Sequence, residues 1–170
     1  MEFLTSEMQA RRLHNIGLCA SALGDFAEAV RSYAAAGQEL ERLGFLVDRV
    51  KCRHSLGVAM YEAGRHSDAI DVLEKAQEEL DALGLEGDAA LAALTRVEAL
   101  LAAGRPGEVP AICRMLIERF TRAGNNGAAM TALAFLRETV AYGHATPNSV
   151  RMVRDLVRDT LTDFTKRLDG

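Results

Sequence analysis

The sequence has no tryptophan, only three prolines and 5% aromatic residues. Sheets are built largely from β-branched and aromatic side chains, so this shortage, with alanine and leucine plentiful, argues against a sheet-dominated fold and for helices. Cysteine is scarce as well, at Cys19, Cys52 and Cys113. Three scattered thiols cannot make a disulfide framework and leave at least one free, which fits a reducing compartment. No apolar run approaches the roughly 20 residues that a bilayer requires. The opening Met1-Glu2-Phe3-Leu4-Thr5-Ser6-Glu7 lacks the basic start and continuous apolar stretch of a secretory signal. A cytoplasmic protein is therefore expected, and a chain that enters a helical pattern so directly also reads as a piece of something longer. Charge of one sign is lacking too: the net value is -4, with acidic and basic residues interleaved. A primary role on nucleic acid or an anionic membrane is disfavoured.

Reactive motifs are also missing. There is no phosphate-binding glycine loop, no nucleophile elbow and no zinc-protease helix. His14, Cys19, Cys52 and His54 come nearest to a metal set. At about 100° per residue, His14 and Cys19 point about 140° apart and Cys52 and His54 about 160° apart, so neither pair grips one ion from a single helix. No catalytic residue, metal or cofactor is expected, and the cysteines read as structural.

What is present is a repeat. Gly24, Gly64 and Gly104 lie 40 residues apart, as do Gly44, Gly84 and Gly124. A period in the 20 to 50 range marks units that bury their apolar faces by stacking on neighbours. Side chains keep the register: Ala29, Ala69 and Val109; Tyr33, Leu73 and Cys113; Ala36, Ala76 and Leu116; Leu40, Leu80 and Phe120; and, in the first helices, Ala20, Met60 and Leu100. Neighbours such as Arg31, Asp71 and Arg114 vary in charge, as solvated positions do. With 170 residues, 49% of them apolar, the chain is read as one domain, 1–170, with units at about 6–44, 47–84, 88–124 and 127–168.

Glycines that can end helices place eight helices over 6–23, 26–43, 47–63, 67–83, 88–103, 106–123, 127–142 and 147–168. Short turns make consecutive helices antiparallel. Pro110 is expected to delay or bend the start of its helix. Thr146 and Pro147 read as the cap and first residue of the last helix. That helix carries an apolar stripe of Val150, Val153, Val157, Leu161, Phe164 and Leu168 against Arg151, Arg154, Asp155, Arg158, Asp159 and Asp163, the pattern of a terminal cap with a polar outer face. The run Glu74 to Glu79 reads as a solvated face.

The segments Ile16-Gly17, Gly24, Phe26, Ala29, Tyr33, Ala36 and Leu56-Gly57, Gly64, His66, Ala69, Leu73, Ala76 resemble the tetratricopeptide repeat. The third unit matches less closely, with Val97 for the first-helix glycine and Pro106 for the aromatic residue. The 40-residue interval is similar to the long-helix variety seen in kinesin light chains and bacterial signalling proteins. The resemblance implies an all-α, right-handed superhelical solenoid of about four antiparallel helix pairs. A mid-helix glycine costs about 1 kcal/mol relative to alanine, so Gly17 and Gly57 are expected where a partner helix comes close.

In that family the first helices line a concave surface that receives a peptide or helix. The resemblance thus implies a binding surface at Arg11, His14, Leu18, Lys51, His54, Val58, Tyr61, Leu94, Glu98 and Leu101. Its first half leans basic and its last part apolar, so the expected partner is an acidic or carboxylate-bearing polypeptide with an apolar anchor. Chaperone-tail clamps of the family use polar residues where His14 and Leu18 stand here, which argues against that specialisation. The expected function is a protein–protein interaction scaffold in bacterial regulation or signalling. The alternatives are a peptide-sensing part of a larger regulator and a self-associating module, since an uncapped first helix would expose Leu4, Met8 and Ile16 to another copy.

Overall fold

In a computed structural model the backbone is described for residues 2–122 and 127–168, and side chains for 5–122, 127 and 129–161. Gly124, Ala123 and the side chains of Leu4, Phe164 and Leu168 therefore lie outside the described residues. The elements are α1 (Glu2–Ala22), α2 (Phe26–Leu43), α3 (Leu46–Glu62), α4 (His66–Ala82), α5 (Glu86–Ala102), a 3-10 turn (Pro106–Glu108), α6 (Val109–Arg122), α7 (Gly127–Ala141) and α8 (Pro147–Leu168). The described residues contain no strand, and the sequence's all-helical reading holds. The chain divides into two compact units, 1–85 and 86–170.

In the first unit α1 packs on α2, α2 on α3 and α3 on α4. The 40-residue register is visible in the turns. Asp25 N–H donates to the Ala20 carbonyl at 2.9 Å and Arg65 N–H to the Met60 carbonyl at 2.9 Å, each one residue past a left-handed glycine, Gly24 (φ 78°) and Gly64 (φ 76°). These six-to-one bonds satisfy carbonyls that a helix end leaves open, and only glycine takes that backbone conformation without strain. Asp25 then starts α2, its side chain accepting the Glu28 N–H at 3.0 Å.

The core follows the same register. Ala29, Tyr33, Ala36 and Leu40 on α2 and Ala69, Leu73, Ala76 and Leu80 on α4 are all buried. A Cβ placed on Gly17 would lie 2.7 Å from the Tyr33 ring, and one on Gly57 would lie 2.6 Å from Leu73. Close helix approach thus accounts for both glycines. Cys52 on α3 is fully buried and its thiol donates to the Tyr33 carbonyl at 3.3 Å. Burial pushes the Cys52 thiol up to about 11. Arg49 and Arg53 on α3 both pair with Glu79 of α4, and Arg49 lies 3.7 Å from Glu41 of α2. Glu79 is therefore a bridging residue, which corrects the reading of its run as a merely solvated face.

In the second unit α5 packs on α6, α6 on α7 and α7 on α8, and α8 also lies antiparallel along α5. Gly87 sits near Leu161 at one end of this contact, and Glu98 meets Arg154 toward the other. The 3-10 turn delays α6 to Val109, which leaves Pro110 in the first helical turn, where a missing amide costs little. Val109, Cys113, Leu116 and Phe120 keep the repeat register and are buried. α8 starts as expected, with Ser149 N–H donating to Thr146 Oγ1 at 3.2 Å and Pro147 as its first residue.

One residue expected on the polar outer face of α8, Arg154, turns inward. Val150, Val153 and Val157 are buried, but so is most of Arg154, whose side chain is 13% exposed and bridges to the fully buried Glu98 at 2.5 Å. Arg151 lies 3.6 Å from the other Glu98 oxygen, and Thr95 Oγ1 accepts from Arg154 at 3.3 Å. Arg151, Asp155, Arg158 and Asp159 stay exposed as expected, and Met152 and Leu156 join them on the outer face.

Candidate functional site

A groove of about 540 Å3 runs between the two first helices of the N-terminal unit. The polar side chains along it are Glu7, Arg11, His14 and Asn15 from α1 and Asp48 and Lys51 from α3, while Ala10, Leu40 and Phe45 supply the apolar part. Helical periodicity explains the lining: Glu7, Arg11 and His14 recur at four and three residues, and Asp48 and Lys51 at three, so each set shares a face. The short α2–α3 turn brings Phe45 in beside them. There Phe45 N–H donates to the Leu40 carbonyl at 3.0 Å, after the left-handed Gly44.

Three expected residues, Arg11, His14 and Lys51, do come together here. His14 is half-buried and meets the Tyr33 ring edge-on at a centroid distance of 5.5 Å, which fixes its orientation. Arg11 is bridged to Glu7 at 2.7 Å on an exposed surface. Pairs of this kind contribute only a few tenths of a kcal/mol, so an incoming carboxylate can compete for the guanidinium. With Glu7 and Asp48 counted beside Arg11 and Lys51, the groove is mixed in charge and not simply basic.

The other expected residues lie elsewhere. Leu18 is exposed on α1, and His54 and Val58 are half-buried on α3, but none of the three lines this groove. Tyr61 is buried, with its ring 5.6 Å from that of His66. Leu94 and Glu98 are fully buried, and Leu101 is half-buried. Leu94, Glu98 and Tyr61 therefore cannot meet a partner in this conformation: the first two belong to the packing of α5, and Tyr61 to that of the α3–α4 hairpin. The sequence reading missed Glu7, Ala10, Leu40, Phe45 and Asp48. For Glu7 and Asp48 the signal was available, since each lies three or four residues before a residue already chosen.

A second concavity, of about 560 Å3, lies between α7 and α8. Phe135, Met152 and Leu156 line it and are all exposed, with Thr131 and Ser149 at its edge. Among the described residues no three histidine, cysteine, aspartate or glutamate side chains gather as a metal site, and no helix is long and apolar enough to cross a membrane.

Compared with known proteins, residues 8–78 match the family model described as "Tetratricopeptide repeat". No curated protein and no solved structure matches the chain.

Proposed function

Because residues 8–78 make this a tetratricopeptide repeat protein, a family whose hairpins generally mediate protein–protein interaction, we propose that the α1–α3 groove receives a segment of another polypeptide. The observation that carries this reading is the convergence of Arg11, His14, Asn15 and Lys51 beside Leu40 and Phe45 on one recessed surface. A carboxylate on the segment meets the cationic groups while an apolar side chain covers Phe45 and Leu40, and Glu7 and Asp48 select against a segment that is acidic throughout. The free thiols favour a reducing cytoplasm. The 40-residue register and the likeness to bacterial signalling repeats favour a long-helix repeat with a regulatory scaffold role.

The test is selection of a displayed random-peptide library on the full chain, followed by titration of enriched peptides against wild type and the Arg11→Glu/Lys51→Glu double variant. Enriched peptides should carry an acidic residue beside an apolar one and lose on the order of tenfold or more in affinity on the variant. Equal affinity for both proteins would remove the groove from consideration.

A further inference from the structure

The outward face of α1 is a second built surface. Met8, Arg12, Ile16, Cys19 and Leu23 recur at spacings of three and four residues and line a shallow recess of about 670 Å3. Met8 is 70% exposed and Leu23, in the turn that closes α1, is 86% exposed, an unusual state for large apolar side chains on one side of the same element.

The repeat register shows what kind of cover this face is shaped for. Forty residues on, Arg12, Ile16 and Cys19 correspond to Cys52, Leu56 and Ala59 of α3. Cys52 and Ala59 belong to the core that includes Ala29, Val30, Tyr33 and Leu40, the face of α2 that precedes α3, and Leu56 packs against it. On α3 the face is covered by a helix; the equivalent face on α1 has no such helix before it among the described residues.

We propose that this face pairs with the same face of a second copy of the chain, the two α1 helices antiparallel about a two-fold axis between Asn15 and Ile16. The recess is self-complementary about that point. Met8 and Leu23 lie equally far from it on opposite sides, so each covers the other across the interface. Arg11 and Arg12 lie toward one end of the recess, and Asp25 and Glu28 toward the other. Antiparallel pairing sets the basic end of one copy toward the acidic end of its partner, although Glu28 also bridges to Arg31 of its own chain at 2.5 Å. A partner of one charge would be repelled at one of the two ends. The contact is isologous and closes as a dimer.

Ile16, Cys19 and Leu23 do not line the α1–α3 groove, so this surface can be tested separately from the proposed polypeptide site. Sedimentation of the full chain over a roughly hundredfold concentration range should show a monomer–dimer equilibrium, and Ile16→Asp and Leu23→Asp should each weaken it by on the order of tenfold or more. Both side chains are exposed in the single chain, and unchanged thermal melting of the variants confirms that they fold. The axis also sets a cross-linking pattern. Arg12→Cys places a thiol opposite Cys19 of the partner, so mild oxidation should give a covalent dimer. In the unaltered chain the two Cys19 residues are offset by about 10 Å along the helices, beyond disulfide reach. The proposal is overturned if the chain stays monomeric throughout. It is equally overturned if Leu156→Asp on α8 dissolves the dimer while Ile16→Asp does not, or if unaltered Cys19 cross-links as readily as Arg12→Cys.

Discussion

Replacing Gly57 with alanine puts the packing of α3 on α4 to a direct test. The added Cβ would lie 2.6 Å from Leu73 Cγ, 2.7 Å from its Cδ2 and 3.5 Å from Val72 Cγ1. Leu73 is fully buried, and Cγ is its branch point, so rotating the end of the side chain cannot clear the clash. Overpacking of this kind costs about 1–3 kcal/mol. Against it stands the gain of about 1 kcal/mol when alanine replaces a mid-helix glycine. Gly57→Ala should therefore destabilise by about 1 kcal/mol, within a range of roughly 0–2. Leu73→Ala alone should cost about 2–5 kcal/mol by leaving a cavity. In that background the new methyl has room, and Gly57→Ala should become stabilising by about 1 kcal/mol. The double-mutant cycle, read by urea unfolding followed by circular dichroism, should return a coupling of about 1–3 kcal/mol. An identical effect of Gly57→Ala with and without Leu73 would refute the reasoning. Gly57→Leu adds more bulk at the same place and should lower the melting temperature by several degrees, at roughly 4–8 °C per kcal/mol for a unit of this size.

Other perturbations give further checks. Glu98→Ala, which leaves Arg154 without its bridge in a largely buried setting, should cost about 3–5 kcal/mol, whereas the paired change Glu98→Leu/Arg154→Met should be nearly neutral in denaturant unfolding. Burial pushes the Cys52 and Cys113 thiols up to about 11, with Arg137 slightly opposing the shift at Cys113. A raised folded-state value means that the unfolded chain ionises first, so this contribution to stability is whole below the ordinary thiol range near pH 8.5 and is lost as pH rises through 11. Thermal melts across that window should fall, less so in Cys52→Ala relative to its own value at pH 7, and a thiol reagent at neutral pH should label exposed Cys19 alone until the protein unfolds. Removing the α2 cap with Asp25→Ala should cost about 1 kcal/mol in the same unfolding assay.

Much of the fold was legible because a fixed spacing reports on packing directly. Every residue aligned across the second helices at intervals of 40, from Ala29 through Phe120, is buried. Gly24, Gly64 and Gly104 all take the left-handed conformation that ends a helix. Legibility failed where a charged residue turned inward. Nothing in the spacing separates Arg154 from Arg151 or Arg158, because the choice is made by Glu98 on a helix distant in sequence. Placing Leu94 and Glu98 on a binding surface assumed that α5 presents itself as α1 does, whereas α8 folds along it. In the groove, Arg11, His14 and Lys51 followed from their places on the first helices. Phe45 and Leu40 did not, since the turn after Gly44 delivers the first and α2 the second, both from outside those helices.

Hydrogen exchange of the full chain with and without an enriched acidic-apolar peptide tests the proposed recognition across α1 and α3 most directly. Added protection should fall on the segments around Glu7 to Asn15 and Leu40 to Lys51. Protection confined to residues 127–156, or none in either helix at saturating peptide, would contradict it.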